Sequence, residues 1–86
     1  MTTDDLELAY AHTSGHRAEL MASDVCGCFY CLATFPPMAI TQWIGDKHGD
    51  TAMCPECVID SVIGSASGFP IEAEFLKRMN ARWFNA

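Results

Sequence analysis

The chain has 86 residues, half of them apolar, and 11 acidic against 5 basic residues give it a formal net charge of −6. A chain of this length holds one domain with a small core, and the apolar fraction excludes a disordered polypeptide. The excess of acid disfavours a general affinity for nucleic acid, because phosphate binding relies on many Lys and Arg side chains. We therefore expect one domain over residues 1–86 that does not bind nucleic acid tightly.

The start of the chain carries Asp4, Asp5 and Glu7 where a secretory signal needs positive charge followed by an apolar run. No apolar stretch approaches the roughly 20 residues of a membrane span. We expect a cytoplasmic protein with no membrane association. In that reducing compartment, clustered cysteines indicate metal or redox chemistry, and an odd count of five fits a disulfide framework poorly.

The N-terminal part of the chain predicts two short helices. Thr3 and the acidic residues after it predict a helix over residues 4–11, because carboxylates favour the positive end of a helix dipole. Thr13 and Ser14 are suited to cap a second helical run, HRAELMA. Gly15 argues against one continuous helix through the whole segment.

The middle of the chain predicts a third helix. In the segment FPPMAITQWIG, Ile40, Trp43 and Ile44 lie at i, i+3 and i+4, which is one helical face. Gly45 follows as a suitable helix end.

Two short strands and a further helix are predicted between residues 32 and 64. The stretches LATF, residues 32–35, and TAM, residues 51–53, read as strands that pair with each other. The stretch VIDSVIG reads as a short helix ending at Gly64. Asp60 would lie in the first turn of this helix, where its negative charge would compensate the helix dipole. The alternative is that Asp60 contacts a metal site formed by the cysteines, which are described below.

The C-terminal part predicts an amphipathic helix from about Ile71 to Phe84. Its core-facing stripe consists of Ile71, Phe75, Leu76, Met79 and Trp83. Beside that stripe, Lys77, Arg78 and Arg82 form a small basic group, which is the one local concentration of positive charge in the chain.

The five cysteines fall in two short clusters, CGCFYC and CPEC. Each cluster contains a Cys-x-x-Cys pair: Cys28 with Cys31, and Cys54 with Cys57. One such pair alone is ambiguous with a thioredoxin-type redox motif, whereas two pairs provide the four thiolates of a tetrahedral metal site. We expect one zinc ion per chain on these four residues. Iron in a rubredoxin-like site is the chemical alternative, because it uses the same four thiolates.

Cys26 is the fifth cysteine, and we expect it to be a buried or half-buried spare thiol. Using it in place of Cys28 would widen the loop between the paired ligands. Four thiolates fill a tetrahedral site and leave no position for water, so the metal is expected to be structural.

The predicted fold is a small α+β domain built on a zinc core of treble-clef or zinc-ribbon type, with a two-stranded hairpin and several short helices. Its parts are an N-terminal helical segment (1–23), the zinc core (26–64) and the C-terminal helix (71–84).

A long part of the chain resembles a family of small bacterial and phage zinc-binding proteins that are described only as cytoplasmic proteins. The resemblance rests on CGCFYCLATFPPMAITQWI, on TAMCPECVIDSVIGSASGFPIEAEFLKRM and on WF, and it spans Cys26 to Phe84. The upstream stretch HTSGHRAEL is also similar. The resemblance implies a cytosolic zinc protein and no particular activity. The chain departs from it at Val58, where the family is expected to have glycine after the second pair.

A treble clef also underlies the HNH nucleases, which need a catalytic histidine and an asparagine. His48 is the one histidine between the two pairs, and VIDSVIG contains neither residue type. We expect His48 to be a solvated loop residue and the chain not to be an active nuclease. His12 and His16 would share a helical face as a second metal site, but Gly15 between them favours a packing or capping role for His16.

The function expected from these features is a non-enzymatic, zinc-stabilised protein-interaction module of regulatory or inhibitory type. Tyr30, between the cysteines of the first pair, is a candidate anchor for a partner protein. The simpler interpretation is that Phe29 and Tyr30 pack against the final helix. One alternative is a nucleic-acid-binding zinc module that uses the basic group near the C-terminus. The other is a degenerate nuclease that uses His12, His16 or His48. The sequence indicates neither the partner nor the oligomeric state.

Overall fold

The structure is a computed structural model that describes residues 2–47 and 49–84, so His48 and its predicted loop role lie outside the described residues. Within that part of the chain the predicted small α+β class is confirmed. Three α-helices and two antiparallel sheets are present in these residues, where the sequence predicts a single two-stranded hairpin. The elements are α1 (Thr3–Tyr10), α2 (Arg17–Met21), β1 (Cys26–Cys28), β2 (Thr34–Phe35), β3 (Trp43–Asp46), β4 (Gly49–Ala52), β5 (Val62–Gly64) and α3 (Ala73–Trp83).

The two N-terminal helices form where the sequence predicts them, with different caps. Thr2 begins α1: its hydroxyl accepts from the Asp5 amide at 3.2 Å, and the Asp5 carboxylate accepts from the Thr2 amide at 3.0 Å. Gly15, with φ of +55°, separates the helices. The predicted capping of α2 by Thr13 was wrong, because its hydroxyl donates back to the Tyr10 carbonyl at the end of α1.

A three-stranded sheet forms the centre of the molecule. Strand β1 lies between β2 and β5 and pairs antiparallel with both. Gly27 in the middle of β1 faces α3, where an added Cβ would lie 2.8 Å from Ile71 and 3.0 Å from Leu76. The absence of a side chain at this position therefore lets the helix pack closely on the sheet.

The helix predicted over FPPMAITQWIG was wrong. The segment forms a single 3-10 turn at Pro37–Ala39 and then β3, which pairs with β4 as a two-stranded hairpin. Consequently TAM contributes Thr51 and Ala52 to a pairing with β3, and LATF pairs with β1 instead. A short apolar run fits both periodicities, and the β-branched and aromatic residues of this one favour a strand once a partner is adjacent.

The helix predicted over VIDSVIG was also wrong. Its last residues form β5, which is buried along its whole length and pairs with β1. Val and Ile favour strands, and a strand buried on both faces shows a continuous apolar run. Asp60 therefore lies in the connection before β5 and compensates no helix dipole.

Helix α3 buries the predicted apolar face, with Phe75, Leu76 and Met79 in the core. One buried cluster joins this face to α1 and β5, and a second surrounds the cysteines. Among the helices of the described residues, none has the length and apolar character needed to cross a bilayer.

Candidate metal centre

The first Cys-x-x-Cys pair lies in the turn that connects β1 to β2. We call residues 28–32 the first knuckle. The Cys28 carbonyl accepts from the Leu32 amide at 2.8 Å, and the Tyr30 amide points at the Cys28 sulfur at 3.4 Å. Closing this turn requires a left-handed backbone at Leu32, whose φ is +69°.

The second pair repeats the same geometry after β4. In the second knuckle, residues 54–58, the Cys54 carbonyl accepts from the Val58 amide at 2.9 Å. The Glu56 amide points at the Cys54 sulfur at 3.3 Å, and Val58 has φ of +67°. In both knuckles a backbone N–H therefore donates to the first sulfur.

The four paired cysteines bring their sulfur atoms together. The Sγ atoms of Cys28 and Cys57 are 3.6 Å apart, those of Cys31 and Cys54 are 3.7 Å apart, and all four lie within 4.8 Å of one another. A tetrahedral ion with metal–sulfur bonds of about 2.3 Å separates its ligand sulfurs by about 3.8 Å. The arrangement predicted from the sequence is present, and it is able to bind one metal ion.

The four thiols differ in their environments. Burial raises the pKa of Cys57 to about 12 and also raises the pKa of Cys31. Burial opposes ionisation of Cys28 as well, but hydrogen bonds from the Ser61 hydroxyl and from nearby backbone amides outweigh it, so its pKa lies below the ordinary value. The Ser61 oxygen is 3.2 Å from the Cys28 sulfur. Cys28 is therefore stabilised as a thiolate by the protein itself.

Cys26 lies apart from this group. It is fully buried in β1, and its sulfur is 4.0 Å from the Leu20 carbonyl oxygen. Burial raises its pKa to about 11. The predicted spare, buried thiol is confirmed.

The two described histidines are engaged in structural contacts. His12 Nδ1 is 2.9 Å from a Glu19 carboxylate oxygen. His16 is 4% exposed; its Nδ1 donates to the His12 carbonyl at 2.8 Å and its Nε2 accepts from the Ala52 amide at 3.1 Å. Within residues 2–47 and 49–84, the paired cysteines alone bring three or more potential ligand side chains together. The packing role predicted for His16 is thus confirmed.

The C-terminal end of α3 supports the first knuckle. Phe29 is buried and Tyr30 is 48% exposed, and both rings contact Phe84, with ring centroids 5.6 and 4.9 Å apart. Asn80 Nδ2 lies 3.0 Å from the Phe29 carbonyl and 3.2 Å from the Tyr30 carbonyl. The aromatic packing was predicted, whereas the Asn80 and Ser61 contacts were missed because no spacing pattern in the sequence indicates them.

Comparison with known proteins finds no matching family model, no matching curated protein and no matching solved structure. The positions of the four thiols and their surroundings are therefore the basis for assigning a function.

Proposed function

We propose that the protein is a zinc-stabilised protein-interaction module without catalytic activity of its own. The observation that carries this proposal is the set of four sulfur atoms within 4.8 Å of one another. Four thiolates occupy every position of a tetrahedral zinc ion, so water or substrate finds no open position on the metal. Such an ion stabilises a small fold, because metal binding and folding are coupled.

Zinc is the proposed ion because four cysteines are a standard ligand set of structural zinc sites, and iron is the alternative because it uses the same four thiolates. Elemental analysis of the purified protein distinguishes them. The expected result is one zinc ion per chain in a colourless preparation. A red, redox-active preparation would assign iron instead, and a folded protein without metal would overturn the metal proposal.

Of the treble-clef and zinc-ribbon folds, we propose that the core is of the zinc-ribbon type. In a treble clef the second ligand pair leads into a helix, whereas here the second knuckle leads into β5. Membership of the small bacterial and phage zinc-binding family also stays a proposal, and Val58 supports it. The resemblance anticipates glycine there, and the φ of +67° at Val58 is a conformation that glycine adopts at low cost.

Exposed aromatic residues support the interaction role. Tyr10, Tyr30 and Phe84 are 47%, 48% and 44% exposed. Aromatic side chains, tyrosine above all, are enriched at the energetic centres of protein interfaces. The net charge of −6 favours a partner with a basic surface.

The basic group near the C-terminus gives less support to the nucleic-acid alternative. Arg78 donates to Glu74 at 3.2 Å and Arg82 donates to Glu7 at 3.0 Å. Two of its three cations are therefore already partnered by carboxylates, which reduces the charge available for phosphate contacts.

Affinity capture from the source organism, followed by reconstitution with the purified partner, tests the interaction role. We expect a stoichiometric complex between two purified proteins. Gel-shift and nuclease assays with magnesium, manganese or zinc are run in parallel and are expected to show neither a shift nor cleavage. Cleavage lost on His48→Ala would support an enzyme, and a salt-sensitive shift lost on replacing Arg78 and Arg82 would support nucleic-acid binding.

A further inference from the structure

A cleft of about 250 Å³ opens beside the first knuckle, between the C-terminal ends of α1 and α3 and the connection before β5. Its lining includes four aromatic residues and two polar residues at the first knuckle, the helix ends and the connection before β5. They are Tyr10, Phe29, Trp83, Phe84, Asp60 and Ser61.

The aromatic rings of the cleft are held in place by one another. Tyr10 stacks on Trp83 with ring centroids 4.1 Å apart, and Phe29 packs against Phe84 at 5.6 Å. Arg82 lies over the Trp83 ring at 4.2 Å and donates to Glu7 at 3.0 Å, so its charge is already compensated. The apolar part of the cleft is therefore formed before any ligand arrives.

Asp60 places an uncompensated negative charge on the wall of this aromatic cleft. Its side chain is exposed and makes no ion pair or hydrogen bond with the described residues. Among the described residues that line the cleft, Asp60 is the one carboxylate. A lone carboxylate among aromatic rings, in a chain with net charge −6, attracts a cation that has an apolar part.

Trp83, which also lines the cleft, carries an unpaired group. Its Nε1 is buried and has no hydrogen-bond partner among the residues that the structure describes. A buried donor without an acceptor is unfavourable, and because the atom is buried it is not presented to a ligand in the cleft.

We infer that this cleft binds an arginine side chain presented by a basic segment of a partner protein. Its guanidinium group would pair with the Asp60 carboxylate while its aliphatic part lies against the aromatic rings. Arginine is favoured over lysine because its planar group both stacks on aromatic faces and binds a carboxylate through two N–H donors. The size is adequate, since a cavity of about 150 Å³ already holds a benzene molecule. This inference rests on the proposed interaction function and specifies its surface.

Two peptides that differ in one charged group test the inference. The acetylated, amidated hexapeptide Gly-Ser-Leu-Arg-Ser-Gly is titrated into the zinc-loaded, isotope-labelled full chain, next to a copy with citrulline, the neutral isostere of arginine. We expect saturable chemical-shift changes centred on the Phe29, Asp60 and Phe84 amides with the arginine peptide and much weaker changes with the citrulline peptide.

Two matched variants locate the charge that matters. Asp60→Asn is expected to weaken binding of the arginine peptide about tenfold, the loss expected for one charge-assisted pair. Asp24→Asn, which neutralises an exposed carboxylate outside the cleft, is expected to leave the affinity unchanged. Both positions are exposed, and an unchanged spectrum away from the substitution verifies the fold of each variant.

Absent or equal responses to the two peptides overturn the inference, as does an Asp60→Asn variant that binds like the original chain. Binding assays with the captured partner protein distinguish a failure of this inference from a failure of the proposed function. A partner bound equally well by Asp60→Asn would leave the interaction module standing and reject the cleft as its surface. A chain that binds the arginine peptide at Asp60 but forms no protein complex would retain the cleft and reject the interaction module.

Discussion

The two knuckles have the same backbone geometry and very different surroundings. Each closes with the same pair of hydrogen bonds and a left-handed residue. The first is continuous with the central strand β1 and is held by α3 through Asn80 and Phe84. The second connects β4 to β5, and Val58 at its end is 53% exposed. Cys-x-x-Cys spacing thus dictates the turn, whereas the neighbouring elements decide how firmly it is held without a metal.

Loss of a metal ligand should have the largest effect, and it should be similar in both knuckles. We expect Cys28→Ser and Cys54→Ser each to lose most of the bound metal and to lower the free energy of unfolding by more than about 4 kcal/mol. Metal content and denaturant unfolding measure the two effects. Cys26→Ala is the matched control, because this buried thiol lies outside the sulfur group. Metal loss in that variant equal to the loss in Cys28→Ser would reassign the ligand.

Removing the metal with a chelator should reveal a difference in local stability between the two knuckles. The Leu32 amide bonds inside the knuckle that Asn80 and Phe84 support, whereas the Val58 amide bonds inside the knuckle whose last residue is exposed. We expect the Val58 amide to lose hydrogen-exchange protection first, with Leu32 protected as long as α3 stays folded. Simultaneous loss at both amides would show that the metal, and not the helix, holds the first knuckle.

Asn80→Ala should weaken the first knuckle alone. The change removes the donor that lies near the Phe29 and Tyr30 carbonyls, and we expect unfolding to become easier by about 2 kcal/mol. Lys77→Ala, an exposed change on the same helix, serves as the control and should be close to neutral. Exchange rates at Leu32 and Val58 report which knuckle is affected. Faster exchange at Val58 alone would contradict the conclusion that Asn80 supports the first knuckle.

Val58→Gly should stabilise the second knuckle, by about 1 kcal/mol, because a β-branched residue at positive φ is strained. Leu32→Gly should give no such gain, since Leu32 packs against the apolar core and would leave a cavity. Thermal unfolding of the metal-loaded proteins compares the two. A loss of stability in Val58→Gly would mean that the exposed valine has a packing role.

The smallest expected effect is a pH dependence that passes through His16. This residue ties α2 to β4, which leads directly into the second knuckle. Burial lowers the pKa of His16 below its ordinary value of 6.5, despite the opposing hydrogen bond to the His12 carbonyl and the nearby Glu19 charge. The stability contributed by the neutral ring is complete above pH 6.5 and is lost as pH falls through the lower folded-state pKa.

His16→Gln separates this contribution from acid release of the metal. We expect the variant to show a shallower loss of stability than the original chain as pH falls below 6.5. Unfolding curves measured at matched metal loading give the two slopes. Equal slopes would show that the imidazole does not titrate differently in the folded and unfolded states.

Local patterns predicted those parts of the fold in which neighbours along the chain supply the interactions. The ligand set followed from two short spacings, and α3 followed from an apolar stripe whose Phe75, Leu76 and Met79 are buried as expected. The break at Gly15 followed from the conformational freedom of one residue. Each of these sequence signals extends over, or repeats within, about one helical turn, so spacing along the chain is enough to indicate it.

By itself, the sequence determined the four candidate ligands, as two Cys-x-x-Cys pairs, and where α1 and α3 form, because those features depend on residues a few positions apart. The fold then brought the two pairs together. Tertiary structure decided that residues 43–46 and 62–64 are strands, since a short apolar run becomes a strand only when a partner strand completes its backbone hydrogen bonds. It also decided the position of Asn80 against the first knuckle and the cleft beside Asp60. Both join residues more than 45 positions apart along the chain, and no local period encodes such a contact.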